Sequence, residues 1–419
     1  MLTYAFVALL LTDVSIRLWL ASRQIRHIAA HRGEVPPEFS ARIGLHSHQR
    51  AADYTMARAR LGMVERVFDA AVLIALTLLG GLQLIDAGIM RLLPDHELWR
   101  QLALIGAIFG LMGLIGLPFT LYRQFVLESR FGFNRMTLKL FAADTVKGLA
   151  IGIVLGTPLI AAILWLMNAA GTYWWIWAWG LWAAFNIGVS LLYPLVIAPI
   201  FNSFKPLDNP ELATRVNELA RRCGFSLKGL FVMDGSRRSA HGNAYFTGFG
   251  KSRRIVFFDT LLNRLNPDEV EAVLAHELGH FSHRHITQRI VLGFVVAFVF
   301  FWLLGFLATQ PAFYETLGVV PHLAASNDAM ALILFFLVIP VCTFALTPLA
   351  SWYSRRHEFQ ADTYASRKSN AGHLISALVK LYDDNAATLT PDPVHSAFYD
   401  SHPPAAIRIR HLQAQGSAA

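Results

Sequence analysis

Residues 148–204, GLAIGIVLGTPLIAAILWLMNAAGTYWWIWAWGLWAAFNIGVSLLYPLVIAPIFNSF, run for 57 positions without one Asp, Glu, Lys or Arg. A bilayer core takes about 20 apolar residues in helical form, so this run is too long for one crossing and suits two. The polar, turn-prone Asn168-Ala-Ala-Gly-Thr172 divides it into two pieces of workable length. Outward from there, residues 101–122, 290–314 and 329–354 each contain a further span, and 70–85, extendable past Asp86, makes a sixth. Residues 2–20 make the seventh. Met1-Leu-Thr-Tyr4 lacks the basic region of a signal peptide, so this segment reads as a retained span. Its Asp13 and Arg17 share one helical face, where they either pair or meet a wet interior.

Composition agrees with that reading. Of 419 residues, 55% are hydrophobic and 15% charged, and the mean hydropathy is +0.44, which excludes an ordinary soluble globule. The net charge of +8 marks cytoplasmic loops in such a chain rather than a nucleic-acid partner. Eight arginines follow the first span and five Lys or Arg lie in 123–147, whereas 310–328 and 168–172 have none. The bias places the N-terminus outside, and puts the polar insertion 205–289 and the C-terminal tail in the cytoplasm. The predicted fold is a mainly α, polytopic membrane protein with a small sheet in its polar insertion. Its parts are membrane helices 1–5 in 1–204, the insertion in 205–289, membrane helices 6 and 7 in 290–354, and a C-terminal part in 355–419. Cys223 and Cys342 form no C-x-x-C pair, so neither a disulfide framework nor a cysteine zinc site is indicated.

Within the insertion, Asp208-Asn-Pro-Glu211 caps an amphipathic helix that Gly224 stops. Residues 229–233 and 254–258 read as short strands on either side of Asn243-Ala-Tyr-Phe246. Asn266-Pro267-Asp268-Glu269 then supplies an N-cap, a proline at the first helical position and an acid three beyond the cap. On the helix begun there lies His276-Glu277-Leu278-Gly279-His280, an H-E-x-x-H. Residues four apart stack on one helical face, so two imidazoles can share one Zn²⁺ while Glu277 lies beside the ion and handles the proton of a water. With 16 His and 28 acids in the chain, chance yields about 0.04 such matches, so the motif is specific.

A hydrolytic zinc centre needs a third protein ligand and an open position. The residues after His280 are Phe281-Ser-His283-Arg-His285, which do not fit the metzincin pattern. Glu358, just past the last span in Arg355-Arg-His-Glu-Phe-Gln-Ala-Asp362, is the better candidate. Asp362, one turn on, is placed to orient a ligand imidazole. A solvated charged helix end is the competing reading of that pair.

Together these residues resemble the M48 metallopeptidases, specifically the Ste24 or CAAX prenyl protease type-1 family. The likeness rests on Ala275-His-Glu-Leu-Gly-His280, Phe125-Val-Leu-Glu-Ser-Arg-Phe-Gly-Phe-Asn134, Tyr193-Pro-Leu-Val-Ile-Ala-Pro-Ile-Phe-Asn202, His241-Gly-Asn-Ala-Tyr-Phe246, Arg355 to Asp362 and Ser401-His-Pro-Pro404 with Arg408. The resemblance implies that His276, His280 and Glu358 hold one zinc and that Glu277 is the acid/base. It further implies that Asn243 and His402 border the scissile peptide, with Arg408 beside them. Without it, Asn243 reads as a turn residue and His402 as a helix-start residue. His285 matches a family histidine, and reads here as a surface or bundle-lining ring. The family also implies a water-filled intramembrane chamber, with Asp13, Arg17, Asp86 and Asn186 as polar groups within or beside spans; polar packing is the alternative.

The expected activity is that of a membrane zinc endopeptidase, with prenylated CAAX peptides as the family substrate class and the lipid bilayer as its setting. The Ala- and Leu-rich chain, with no dilysine signal in Gln413 to Ala419, looks bacterial. An inner-membrane location is expected, with quality control of membrane proteins or processing of unlipidated peptides as the role; a eukaryotic host would imply the ER. The HtpX-like branch of M48, a transporter with structural zinc, and a non-cutting scaffold are the alternatives. Glu277 argues against the last two, because a closed structural zinc site has no use for a Glu inside its ligand pair.

Overall fold

The computed structural model describes residues 1–242, 244–247 and 253–416. The N-terminal part is built of helices α1 (Leu2–Ala30), α2 (Leu45–Leu76), α3 (Gly81–Leu92), α4 (Glu97–Leu121), α5 (Leu138–Ala169) and α6 (Trp174–Leu192). Among the described residues, six helical stretches are long and apolar enough to cross a membrane: Leu2–Ala30, Glu97–Arg130, Leu138–Ala169, Gly171–Phe201, His285–Leu307 and Asp328–Lys368. Each corresponds to a span expected from sequence. The expected crossing at 70–85 is instead broken into the pair α2 and α3, bent by 52°. Gly80 sits at the break with φ +80, which only glycine adopts freely, and a Cβ on Gly81 would fall 2.7 Å from the Ala75 carbonyl. The apolar pattern runs through the bend unchanged, so periodicity alone could not reveal it. At the division of the 57-residue run, α5 ends at Ala169 and Gly171, at φ +62, opens the turn into α6.

The embedded polar groups find protein partners. Arg17 Nε donates to both Asp13 oxygens at 2.8 and 2.9 Å. Asp86 accepts from Arg100 at 3.4 Å and meets His322 at 2.5 Å, and Asn186 donates to the Trp182 carbonyl. These are the polar pairings that the sequence left as the alternative to a wet interior.

The insertion carries a four-stranded sheet of β1 (Phe204–Pro206), β2 (Leu227–Met233), β3 (Ala244–Thr247) and β4 (Arg253–Phe258), ordered β1-β2-β4-β3. Only β2 and β4 run parallel. Residues 244–247, expected to lie between strands, thus form the edge strand themselves. Ala244-Tyr-Phe-Thr247 does not alternate apolar with polar residues, so it shows no period-two pattern.

Helix α7 (Pro210–Arg222) is capped by the Asn209 side chain, and α8 (Pro267–Ser282) by the full Asn266/Glu269 capping box. The buried Glu269 also accepts from Ser376 at 2.6 Å and Lys380 at 2.7 Å, binding the start of α8 to a later helix. Past a turn at Arg284 (φ 57), α9 (His285–Leu307) enters the membrane region. Two further helices, α10 (Asp328–Thr343) and α11 (Thr347–Lys368), join through a short 3-10 turn into one 41-residue stretch. The chain closes with α12 (Ala371–Asp384), α13 (Pro393–Tyr399) and α14 (Ala405–Gly416). Leu274, Leu278, Ala365, Leu374, Ile255 and Phe257 share one buried core that fixes α8 against α11, α12 and the sheet.

Candidate metal centre

Helices α8 and α11 cross in backbone contact. A Cβ on Gly279 would lie 2.9 Å from Ala361 Cα and 3.1 Å from its carbonyl oxygen, so only glycine permits this approach. His276 stands three residues before Gly279 and Glu358 three before Ala361, so the contact sets the distance between them. His276 Nε2 and His280 Nε2 are 3.3 Å apart. Glu358 presents Oε2 to His276 Nε2 at 3.4 Å and Oε1 to His280 Nε2 at 3.4 Å. Ligands about 2.0–2.1 Å from a tetrahedral ion are separated by roughly 3.3–3.4 Å, the spacing found between the two ring nitrogens and from each of them to one Glu358 oxygen. Glu358 Oε2 is buried without a hydrogen-bond partner, facing His276 Nε2 and, at 3.8 Å, Arg408 Nη1. A buried carboxylate oxygen that accepts no hydrogen bond beside a ligand nitrogen fits a bound cation.

The other ring nitrogens are occupied too. Asp362 Oδ1 lies 2.8 Å from His276 Nδ1 and is fully buried. Arg408, also buried, grips Asp362 through Nε at 2.9 Å and Nη2 at 2.6 Å. Arg408 Nη2 also approaches His276 Nδ1 at 3.4 Å, but a nitrogen that donates to Asp362 cannot accept as well, so the shorter carboxylate contact is the hydrogen bond. On the second imidazole, His280 Nδ1 is 3.0 Å from His285 Nδ1, and His285 Nε2 is 2.9 Å from Gln360 Oε1. With His280 Nε2 turned to Glu358, its Nδ1 carries the proton and donates to His285, whose own Nε2–H donates to Gln360. His285 is 1% exposed and stacks on His357 at 3.9 Å. It is therefore neither a surface nor a bundle-lining residue, contrary to the sequence reading. A histidine five beyond His280, across a helix break, carries no spacing signal; its place is set by the turn at Arg284.

Burial opposes charge on His276, yet Asp362 and Glu358 outweigh it and lift the ring to about 9. Burial and the neighbouring His276 push His280 down to about 3. Burial raises the Glu277 carboxyl, which His276 and Arg408 offset only in part. Glu277 is thereby moved toward the range where a carboxyl both takes up and releases a proton. His402 reaches the site from the far side, with Nε2 3.5 Å from Glu358 Oε1 and a 60% exposed ring. It opens onto a polar cavity of about 600 Å³ lined by Gln24, Arg58, Glu65, Arg123 and Tyr382. Tyr382 belongs to no sequence motif; burial pushes its phenol up, with Arg408 opposing and Asp400 adding to the shift. Asn243 lies outside the described residues.

A multi-pass membrane chain whose HExxH helix meets a distant Glu in this way defines the class of membrane-embedded metallopeptidases. The chain belongs to peptidase family M48, whose model matches residues 206–415, and the model described as CAAX prenyl protease N-terminal, five membrane helices, matches 24–203. It is 35% identical to the CAAX prenyl protease 1 homolog of Arabidopsis thaliana over 77% of this chain and 75% of that one. The CAAX prenyl protease 1 of Saccharomyces cerevisiae is 32% identical, over 96% and 93% of the two chains. The crystal structure of S. mikatae Ste24p superposes with a TM-score of 0.91 at 29% identity, over 98% of this chain and 99% of that one.

Proposed function

We propose that this protein cuts peptide bonds within a polytopic membrane domain, using one zinc held by His276, His280 and Glu358, and that CAAX-type prenylated peptides are among its substrates. The convergence of His276, His280 and Glu358 within metal-ligating distance of one another carries the reading. When bound, the zinc supplies Lewis-acid polarisation of the scissile carbonyl and of water. Glu277 takes the proton of the attacking water and delivers it to the leaving amine nitrogen. His402, at the mouth of the polar cavity, donates to the oxyanion, and the Asn243 amide, placed there by motif resemblance alone, is the second donor. Arg408 acts through Asp362: it holds the carboxylate that orients His276.

The substrate class is supported by the names of the relatives, among them the CAAX prenyl protease 1 of Saccharomyces cerevisiae, matched over 93% of its length. The match of a five-helix N-terminal model favours this branch over an HtpX-like one, and family membership favours an enzyme over a transporter or scaffold. We further read the bent pair α2 and α3 as the seventh crossing, and the spans as surrounding an intramembrane chamber. The arginine bias puts the N-terminus outside and the zinc domain and C-terminus in the cytoplasm of a bacterial inner membrane. Membrane-protein quality control is the physiological role proposed there. The domain limits follow: 1–204 and 290–354 embed the chain, and 205–289 with 355–419 build the site.

Cleavage of a farnesylated CAAX peptide and its unlipidated form by purified protein, with metal analysis, tests this. Wild type and Glu277→Gln should both carry about one zinc, while the variant loses hydrolysis by roughly 10²–10⁴-fold. Equal rates would end the mechanism, and cleavage of neither peptide would end the substrate assignment. Orientation is checked separately: Cys223 should react with a membrane-impermeant maleimide only after permeabilisation, and an introduced Ser326→Cys without it.

A further inference from the structure

The helix that carries Glu358 has a second working face. Trp352, Arg356, Phe359, Thr363 and Arg367 recur at helical spacing along α11, on the side opposite Glu358 and Asp362. They line a groove of about 840 Å³, walled by Ser282 and His283 on one side and by Pro403, Pro404 and Ile407 on the other. No carboxylate lines it, although Arg355, Arg356 and Arg367 all do. Among the described residues Arg356 and Arg367 have no ion-pair partner, and Arg355 makes only a 3.5 Å contact to the Ser396 carbonyl. Three cations gathered around apolar and aromatic walls, with no counter-charge, form a site for an anion that also has an apolar part.

The groove's height relative to the bilayer is fixed by neighbouring contacts. Arg289 Nη2 donates to Ser354 Oγ at 3.0 Å, and the Tyr353 hydroxyl donates to Gln288 Oε1 at 3.1 Å. The first turn of α9 and residues 353–354 of α11 therefore share one level. Directly on the membrane side lie bare apolar side chains, including Val291 at 56%, Leu349 at 65% and Trp352 at 58% exposure. An exposed Trp followed within one turn by paired arginines marks the water boundary of a span. Arg355 and Arg356 thus stand at headgroup height, with Arg367 about 16 Å further along the helix, and the apolar strip below them continues into the hydrocarbon.

We propose that this groove binds an anionic phospholipid, its phosphate held by Arg355 and Arg356 and its acyl chains laid over Trp352 and Leu349. The site is separate from the zinc centre and does not depend on which peptide is cut. The test uses full-length protein in detergent, titrated with dioleoyl phosphatidylglycerol or dioleoyl phosphatidylcholine, with bound lipid counted by native mass spectrometry. Wild type should retain one phosphatidylglycerol under conditions that strip phosphatidylcholine. Arg355→Gln with Arg356→Gln should weaken that retention by roughly tenfold or more. Arg135→Gln with Lys139→Gln, which removes two exposed cations next to another span, should leave it intact. If the groove double variant loses its zinc or its fold, Arg356→Gln alone, at an exposed position, should still show part of the loss. Equal retention by groove and control variants overturns the proposal. So does displacement by inorganic phosphate, which would mean a simple anion site, or by a polyglutamate peptide, which would mean a protein partner.

Discussion

Glu277 and His276 are adjacent in the chain and opposite in use: one ring nitrogen points into the ligand cluster, and the neighbouring carboxyl stays beside it. The H-E-x-x-H spacing makes that legible, because the relation is local to one turn. Glu358 is 78 positions beyond His280 with two membrane stretches between, so no periodicity links them, and the candidate came from its neighbours and the family likeness. His285 was beyond reach for the reason given by its backbone: it lies across a left-handed turn. As the partner of His280 Nδ1, it has a measurable role. His285→Ala should lower zinc affinity by about 10–100-fold, read by competition with a chromophoric chelator. Asp362→Ala should match or exceed that loss, because it strands the buried Arg408 as well.

At the scale of elements, the crossing of α8 and α11 decides whether the centre assembles. Gly279→Ala puts a methyl 2.9 Å from backbone that cannot rotate away, so the helices must part. The variant should fold with near-wild-type helicity and yet bind zinc more weakly, which circular dichroism and metal content together would show. The start of α8 depends on its cap. Asn266→Ala should cost about 1 kcal/mol, measured as a lowered midpoint of unfolding. Burial alone would raise the Glu269 carboxyl, but hydrogen bonds from Lys380, Ser376 and Asn266 overcome it and hold the group below the ordinary glutamate value. The stability it contributes is therefore present above that ordinary value and is lost as pH falls through the lower folded one. Glu269→Gln should accordingly show its largest deficit near neutrality and a shrinking one in acid. Among elements, helices with caps were readable from sequence, whereas the bend at Gly80 and the four-residue strand β3 were not. The bend hides inside an apolar run that looks like one span, and the strand does not alternate apolar with polar residues.

For the whole molecule, binding of metal to the folded state alone ties stability to zinc. Dialysis against a chelator should lower the melting temperature and abolish peptide cleavage, and stoichiometric zinc should restore both; an unchanged melting temperature would mean the cluster is not the metal site. The six clear membrane stretches were readable because lipid demands length and apolarity and little else. The packing of two distant helices was not, since contact between remote segments has no local signature.

The stretch from Asp328 to Lys368 begins packed among the other spans, with residues 329–335 buried, and delivers Glu358 about 45 Å further on, at 1.5 Å per residue. Anything that tilts its lower end therefore swings the carboxylate against two imidazoles anchored on a different helix. Membrane thickness thus becomes a control on the chemistry. Reconstitution in progressively shorter or longer acyl chains should detune the enzyme on both sides of one best-matched bilayer.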